Sequence, residues 1–238
     1  MSHSHNLSGF QNNLLALLSD EDRGLLQPHL EKIDLPKHFV LADPDEPIQH
    51  VYFIESGLGS MVVRSREGQE AEAGIFGRDS VAPSFAIFGL DQEPHAHFIQ
   101  LAGHGYRIPL FRFFKALETS SSLRNLLLRY AQTFATQSSF TALSNAIHPV
   151  QERLARWVLM CHDRHDSDDI PLTHDFLAIM LAVRRPSVTT ALHVLEGNGF
   201  IVSERGYITV RNRRALEEFA SDAYGKAEAE YRRLIGPL

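Results

Sequence analysis

Residues 172–201 read LTHDFLAIMLAVRRPSVTTALHVLEGNGFI, and the spacing of apolar residues in this stretch decides how the C-terminal third of the chain folds. Thr173 stands where a cap is needed for a first helix whose inward face is Phe176, Leu177, Met180 and Leu181. A tight turn at Ala182 and Val183 follows. The second helix carries Pro186 in its first turn, where a missing N–H costs nothing, and turns Val188, Ala191, Leu192 and Leu195 inward. Residues 199–212, GFIVSERGYITVRN, then read as a two-stranded hairpin reversing near Arg205 and Gly206. Two short helices, a brief turn and a following hairpin make a winged helix-turn-helix.

In such a motif the second helix enters the major groove by its N-terminus, so its first residues meet bases and flanking residues meet phosphates. Arg184, Arg185, Ser187, Thr189 and Thr190 are the candidates on the helix, Thr173 precedes it, and Arg205 sits on the hairpin. Arginine can grip guanine O6 and N7 with two hydrogen bonds, worth roughly 1–3 kcal/mol of discrimination, whereas Ser and Thr suit phosphates or base edges. Arg211, Arg213 and Arg214 extend the expected positive face. Double-stranded DNA is the expected partner.

Composition permits this reading without announcing it. The chain has 238 residues, 44% hydrophobic and 22% charged, enough for two ordinary domains with real cores. A net charge of −6 excludes a protein that coats nucleic acid by bulk positive charge. The acidity is uneven: residues 1–148 hold 11 basic against 16 acidic side chains, and the remainder 12 against 13. A local basic face therefore fits the C-terminal part. No apolar run approaches the roughly 20 residues of a membrane span, and MSHSHNLSGF lacks the basic and apolar regions of a signal peptide, so a cytoplasmic protein is expected. With one cysteine, Cys161, the chain has no internal disulfide and no four-cysteine metal site.

Upstream, residues 14–30 have helical spacing with Ser19 as a cap. Residues 33–112 change to short extended segments, HVYFIESGLGSMVVRS, AEAGIFGRDS, HAHFIQLA and GYRIPL, with a hairpin turn at SREGQE where Gly68 can take positive φ. This is the pattern of an antiparallel sandwich or barrel, making the whole chain an α+β protein. A long helix is expected over residues 122–146. Its Leu123, Leu127, Tyr130, Phe134, Gln137, Thr141 and Ser144 follow the alternating steps of a coiled-coil seam, apolar early and polar late. The stripe fits either packing on the sheet of the same chain or a helix-to-helix dimer contact; the second is favoured, since Leu126 and Leu128 offer other faces to the sheet. His148-Pro149 marks the boundary, and Pro149 starts another helix. The expected organisation is a helix and β-roll over residues 1–118, a dimerisation helix over 119–148, a winged helix-turn-helix over 149–221 and a tail over 222–238.

Helix, small β domain, long helix, proline hinge and winged helix-turn-helix, in that order, resemble the Crp/Fnr family of bacterial transcription regulators over essentially residues 15–220. VYFIESGLGSMVV, VQERLARWVL and the helix-turn-helix through HVLEGNGFI are the strongest local similarities. The resemblance implies a homodimer, a β-roll effector domain like the cyclic-nucleotide-binding one, recognition of a palindromic operator and contact with RNA polymerase, as an activator or repressor. Arg185 falls at the family's guanine-reading arginine. Pro186 stands where members often carry a base-reading glutamate, and Thr190 where a second arginine is found, so the operator should differ from the usual one. Thr173 and Ser187 match phosphate-contacting positions.

The same resemblance argues against cyclic AMP. Gly77-Arg78-Asp79 replaces the ribose-holding pair, and EPHAH occupies the region of the phosphate-binding arginine. Arg78, with Ser138 and Ser139 on the long helix, remain as candidates for an unidentified small-molecule effector. Thirteen histidines raise a different class, a metal sensor or cupin-like metal enzyme. His95 and His97 would share one face of a strand, with His104 approaching from the next strand. The usual nearby glutamate and a fourth ligand are missing, so surface histidines are the simpler reading, and no cofactor is expected. CHDRHDSDD around Cys161, His162 and His165 reads as a solvated turn. No nucleophile elbow, Walker loop or carboxylate pair stands out, and an enzyme is not expected.

Overall fold

The computed structural model describes residues 9–238, so most of the MSHSHNLSGF start lies outside the described residues. The first helical stretch divides into α1 (Asn13–Ala16) and α2 (Asp20–Leu26), because two side chains cap separate starts. Asn12 accepts from the N–H groups of Leu14 and Leu15, and Ser19 accepts from that of Asp22.

Six strands follow: β1 (Glu31–Leu35), β2 (Val40–Ala42), β3 (His50–Arg64), β4 (Glu70–Phe76), β5 (Val81–Ala82) and β6 (Ala96–Pro109). They pair antiparallel in the order β1-β6-β3-β4, with β2 also on β6 and β5 on β3. Gly68 turns the β3–β4 hairpin at a φ of 80°. HAHFIQLA and GYRIPL, expected as two strands, are one. Gly103, which interrupts the sequence pattern, permits close backbone approach where β6 crosses β3: a Cβ there would lie 2.0 Å from the Ser56 carbonyl oxygen. A glycine read as punctuation is here a contact.

α3 (Leu110–Thr119) leaves the sheet and α4 (Ser121–Ile147) runs back across it, capped by the Ser120 side chain on the N–H of Leu123. α5 (Val150–Asp163) begins after Pro149. Then come β7 (Asp169–Ile170), α6 (His174–Met180), α7 (Arg185–Gly197), β8 (Ile201–Glu204), β9 (Tyr207–Val210), α8 (Arg213–Ala220) and α9 (Lys226–Leu234). β7 pairs with β9, giving the expected hairpin a third strand.

The seam on α4 corrects the sequence expectation. Leu123, Leu127, Tyr130, Phe134, Gln137, Thr141 and Ser144 are all buried within this one chain. Gly74 lets the helix approach closely, since a Cβ there would be 2.9 Å from the Phe134 ring and 3.0 Å from Gln137 Oε1. The late polar residues have a physical reason: β4 is an edge strand whose backbone needs partners. Gln137 Oε1 accepts from the N–H of Ile75 at 2.7 Å, and its Nε2 donates to the Ile75 carbonyl at 3.2 Å. A second ridge stays exposed, made by Leu128, Gln132, Ala135, Ser139, Ala142 and Ala146. It repeats the four- and three-residue steps of a coiled-coil seam.

Two hydrophobic cores result. One fills the β domain with α1–α4 and includes Tyr231 of α9; the other joins α5–α8 to Leu58, Ile75 and Leu101 on the sheet. The C-terminal domain is thus packed directly on the β domain.

Candidate nucleic-acid interface

The helix-turn-helix is held from three sides. Thr173 caps α6 by accepting from the N–H of Phe176 at 3.3 Å. Arg153 of α5 donates to the Leu181 carbonyl, fixing the turn before α7. Ala182 takes a φ of 49°, a left-handed conformation that reverses the chain within a few residues. Val188, Ala191, Leu192 and Leu195 anchor the inner face of α7.

The other face is open. Arg184, Arg185, Pro186, Ser187 and Thr190 are exposed, while Thr173 and Thr189 are half-buried. Arg184 occupies the N-cap position and Pro186 lies in the first turn, so the free N–H groups and positive end of the helix dipole coincide with two guanidinium groups. Arg185 rests 3.3 Å from Asp175, with both side chains mostly in solvent; such a pair gives way readily to a better anion. Thr189 and Thr190 donate back to the carbonyls of Arg185 and Pro186 at 3.3 and 3.1 Å. Exposed Arg205 at the β8–β9 turn shares a groove of about 240 Å³ with Thr189, His193 and His174. Helix and wing therefore border one surface.

Arg213 does not belong to it. Its guanidinium bonds Asp163 Oδ1 at 2.6 Å, Glu217 Oε1 at 2.8 Å and the Tyr224 hydroxyl at 2.8 Å. Asp163 and Glu217 hold its proton more tightly despite partial burial. The RNRR run contains one structural arginine between exposed Arg211 and Arg214.

The residues singled out for an effector are not gathered into a site. Arg78 turns toward the C-terminal domain, pairing with Asp166 and donating to the Asp163 carbonyl at 3.4 Å. Ser139 is exposed and donates to the Ala135 carbonyl at 2.9 Å. The Ser138 hydroxyl is buried without a partner among the described residues.

Neither do the three histidines converge. His95 pairs with buried Glu93 at 2.6 Å, and His97 lies inside the sheet against Phe76, its pKa pushed down to about 3 by burial. His104 is seven residues farther along the same strand, not on the next one, bonded to Ser56 at 2.8 Å. Among the described residues no group of three or more His, Cys, Asp or Glu could hold a metal ion. Cys161 is buried in α5, and His162 pairs with Asp168 at 2.8 Å.

Sequence reasoning missed the polar contacts between the domains. Arg164, at the end of α5, makes two bonds to Asp79, at 3.0 and 2.6 Å, and both side chains are 4% exposed. Nearby, Glu72 of β4 bonds Ser60 Oγ at 2.6 Å and accepts from Trp157 Nε1 at 2.7 Å. Burial pushes the Glu72 pKa up to about 8, although these two hydrogen bonds, Arg156 and Arg164 pull it down. Trp157, the single tryptophan, also packs edge-on against Phe176 of α6. A lone tryptophan in an amphipathic helix was the one available signal.

The chain thus combines a β-roll, a long helix and a winged helix-turn-helix with a cationic helix start. Residues 152–219 match the Crp-like helix-turn-helix domain family. The chain is similar in structure to FixK2 from Bradyrhizobium japonicum, with 18% identity over 81% of this chain and 98% of that one and a TM-score of 0.69. It is also similar to the c-di-GMP-responsive global regulator CLP of Xanthomonas campestris (16%, 81% and 99%, 0.63). A mutant of CooA from Carboxydothermus hydrogenoformans gives 15%, 88% and 96%, and 0.64. Comparison with characterised proteins by sequence finds no match. The C-terminal domain is thus similar to the Crp-like helix-turn-helix domains, and the chain has the fold seen in regulators of the Crp/Fnr family.

Proposed function

We propose that this protein is a cytoplasmic, homodimeric, sequence-specific transcription regulator that reads a palindromic operator with the N-terminal turn of α7. The observation that carries the reading is the coincidence of Arg184, Arg185, Ser187 and Thr190 at an exposed helix start beside the Arg205 wing. Arg185 reads a base, while Thr173, Ser187 and Arg205 hold phosphates. Pro186 offers no carboxylate to a cytosine amine, so the half-site departs from one read by arginine and glutamate together. The exposed α4 ridge supplies the contact between copies: Ala135, Ser139, Ala142 and Ala146 are small enough for close helix approach. Two copies would present their α7 helices about 34 Å apart, one turn of duplex. RNA polymerase is the further partner, and no cyclic AMP is required.

Selection from random duplexes tests this directly. An enriched palindrome with half-sites one turn apart is expected, and Arg185→Ala should lose preference for one base pair per half-site while retaining weak, salt-sensitive binding. Failure to enrich any sequence would refute the regulator reading.

A further inference from the structure

Helix α7 has two flanks. On one, Arg184 and Ser187 face the β3–β4 hairpin, where Ser65, Gln69 and Glu70 form the opposite wall. The other flank faces the wing. There Thr189, His193 and Glu196 of α7, His174 of α6, and Glu204 and Arg205 of the β8–β9 turn enclose the groove of about 240 Å³.

The walls of this groove are fixed, and several of its polar groups are free. Glu196 Oε1 accepts from the Ser203 N–H at 2.7 Å, tying the wing to α7. Ile201 and Ile208 of the hairpin belong to the same core as Leu192 and Leu195. Glu204, Arg205 and His193 are exposed, and His174 is half-buried. The Thr189 hydroxyl donates to the Arg185 carbonyl at 3.3 Å and stands 3.4 Å from His174 Nδ1, which it can serve as an acceptor. That leaves Nε2 of His174, and the ring of His193, for a ligand. Asp175, next to His174 on α6, is turned to Arg185 at 3.3 Å.

The charge of the groove depends on two protons. With both imidazoles neutral its lining carries one arginine against two glutamates, a formal charge of −1; with both protonated the charge is +1. Imidazole is the side chain that changes charge between about pH 5 and 8 without help from its surroundings. An anion in the groove favours the charged rings, so binding it and taking up protons are linked.

The position of the groove names the anion. A helix in the major groove has a phosphate strand along each side. With Arg185 toward the base edges, the strand on the wing side runs between α7 and Arg205, and contacts to it position the protein without reading sequence.

We propose that the groove between α7 and the wing is a proton-dependent seat for one backbone phosphate of the bound DNA, held by His174, His193 and Arg205, so that DNA affinity rises as pH falls. The inference rests on the DNA-binding reading and adds to it two phosphate ligands and a response to pH. The histidines hold the phosphate as imidazolium, and the Glu204 carboxylate sets how strongly the neutral groove repels it.

The test uses the full chain, with fluorescence anisotropy of a mixed-sequence duplex at low salt and of the selected operator, from about pH 5.5 to about pH 8. Wild-type affinity should fall with rising pH by about tenfold for each histidine whose pKa the phosphate raises by one, hence by up to about 100-fold for the two. His174→Gln and His193→Gln should each remove part of this fall and the double variant most of it, while affinity at the upper end of the range stays close to that of wild type. His193 is exposed, so its variant reports on the groove even where His174→Gln disturbs α6. Glu204→Gln should tighten binding most at high pH. The slope of affinity against salt should be steeper at low pH by about one per chain in wild type, and not in the double variant. The remaining histidines and Glu72 titrate alike in all forms, so the difference between wild type and variant isolates the groove. The same pH dependence in wild type and in both histidine variants overturns the phosphate seat and leaves the DNA-binding reading standing. Absence of binding by every form across the whole pH range overturns both.

Discussion

Arg164→Ala is the most informative single change to the docking of the two domains. The substitution removes two bonds to Asp79, at 3.0 and 2.6 Å, and one to the Met160 carbonyl at 2.9 Å. Asp79 keeps only the N–H of Gly77, at 3.0 Å, on the carboxylate oxygen it shared with Arg164, and stays buried. Breaking a buried ion pair from one side costs about 3–5 kcal/mol, most of it from the charge left behind. The lower end, about 3 kcal/mol, is expected here because that N–H remains. Removing both partners should cost less than the sum of the two single changes, by about 2 kcal/mol. Urea unfolding followed by Trp157 fluorescence is the assay, since this one tryptophan is 2% exposed and bonded across the interface to Glu72. A single-variant loss below about 1 kcal/mol, or strict additivity in the double variant, would refute the view that this pair is a desolvated element of the interface.

Three further outcomes are expected. Burial holds the folded pKa of Glu72 at about 8 against 4.5 for a free glutamate side chain, so the folded state retains a proton that the unfolded chain releases between these values. Its contribution is complete below the lower value and falls as pH rises through the upper one, by at most about 1.4 kcal/mol per pH unit; urea midpoints across this window should decline, and Glu72→Gln should flatten the decline. Arg213→Ala strips a cation from Asp163, whose side chain is 8% exposed, and should lower stability by about 1–3 kcal/mol without altering the salt slope of DNA binding. Arg205→Ala should do the reverse, reducing that slope by about one. Ala142→Glu, on the exposed ridge of α4, should convert the proposed dimer to monomer in sedimentation while changing monomer stability by no more than about 0.5 kcal/mol.

The C-terminal domain was legible because its signals are local. Thr173, Pro186 and the inward residues of α6 and α7 act within a few positions of one another, and capping and helical periodicity follow from the backbone alone. The β hairpin at Gly68 was legible for the same reason. α4 was half legible. The period of its buried stripe can be read from the chain, but a seam facing an edge strand and a seam facing a second copy have the same spacing, and the amide of Gln137 is polar enough to mimic the latter. Arg213 misled because charge was counted by adjacency to Arg211 and Arg214, whereas its partner Asp163 lies fifty residues away.

By itself the sequence determined an α+β chain, a winged helix-turn-helix, the cationic start of α7 and the departure at Pro186. Each is set by neighbours along the chain, through backbone preference and the burial of one helix face. Tertiary structure alone decided which face of α4 is free, that Arg78 points at the other domain, and that the tail returns to the β domain through Tyr231. These depend on pairings between residues far apart in sequence, such as Asp79 with Arg164 and Tyr231. Burial makes such contacts strong, because a desolvated group must find a partner wherever the fold brings one, and no local pattern announces where that will be.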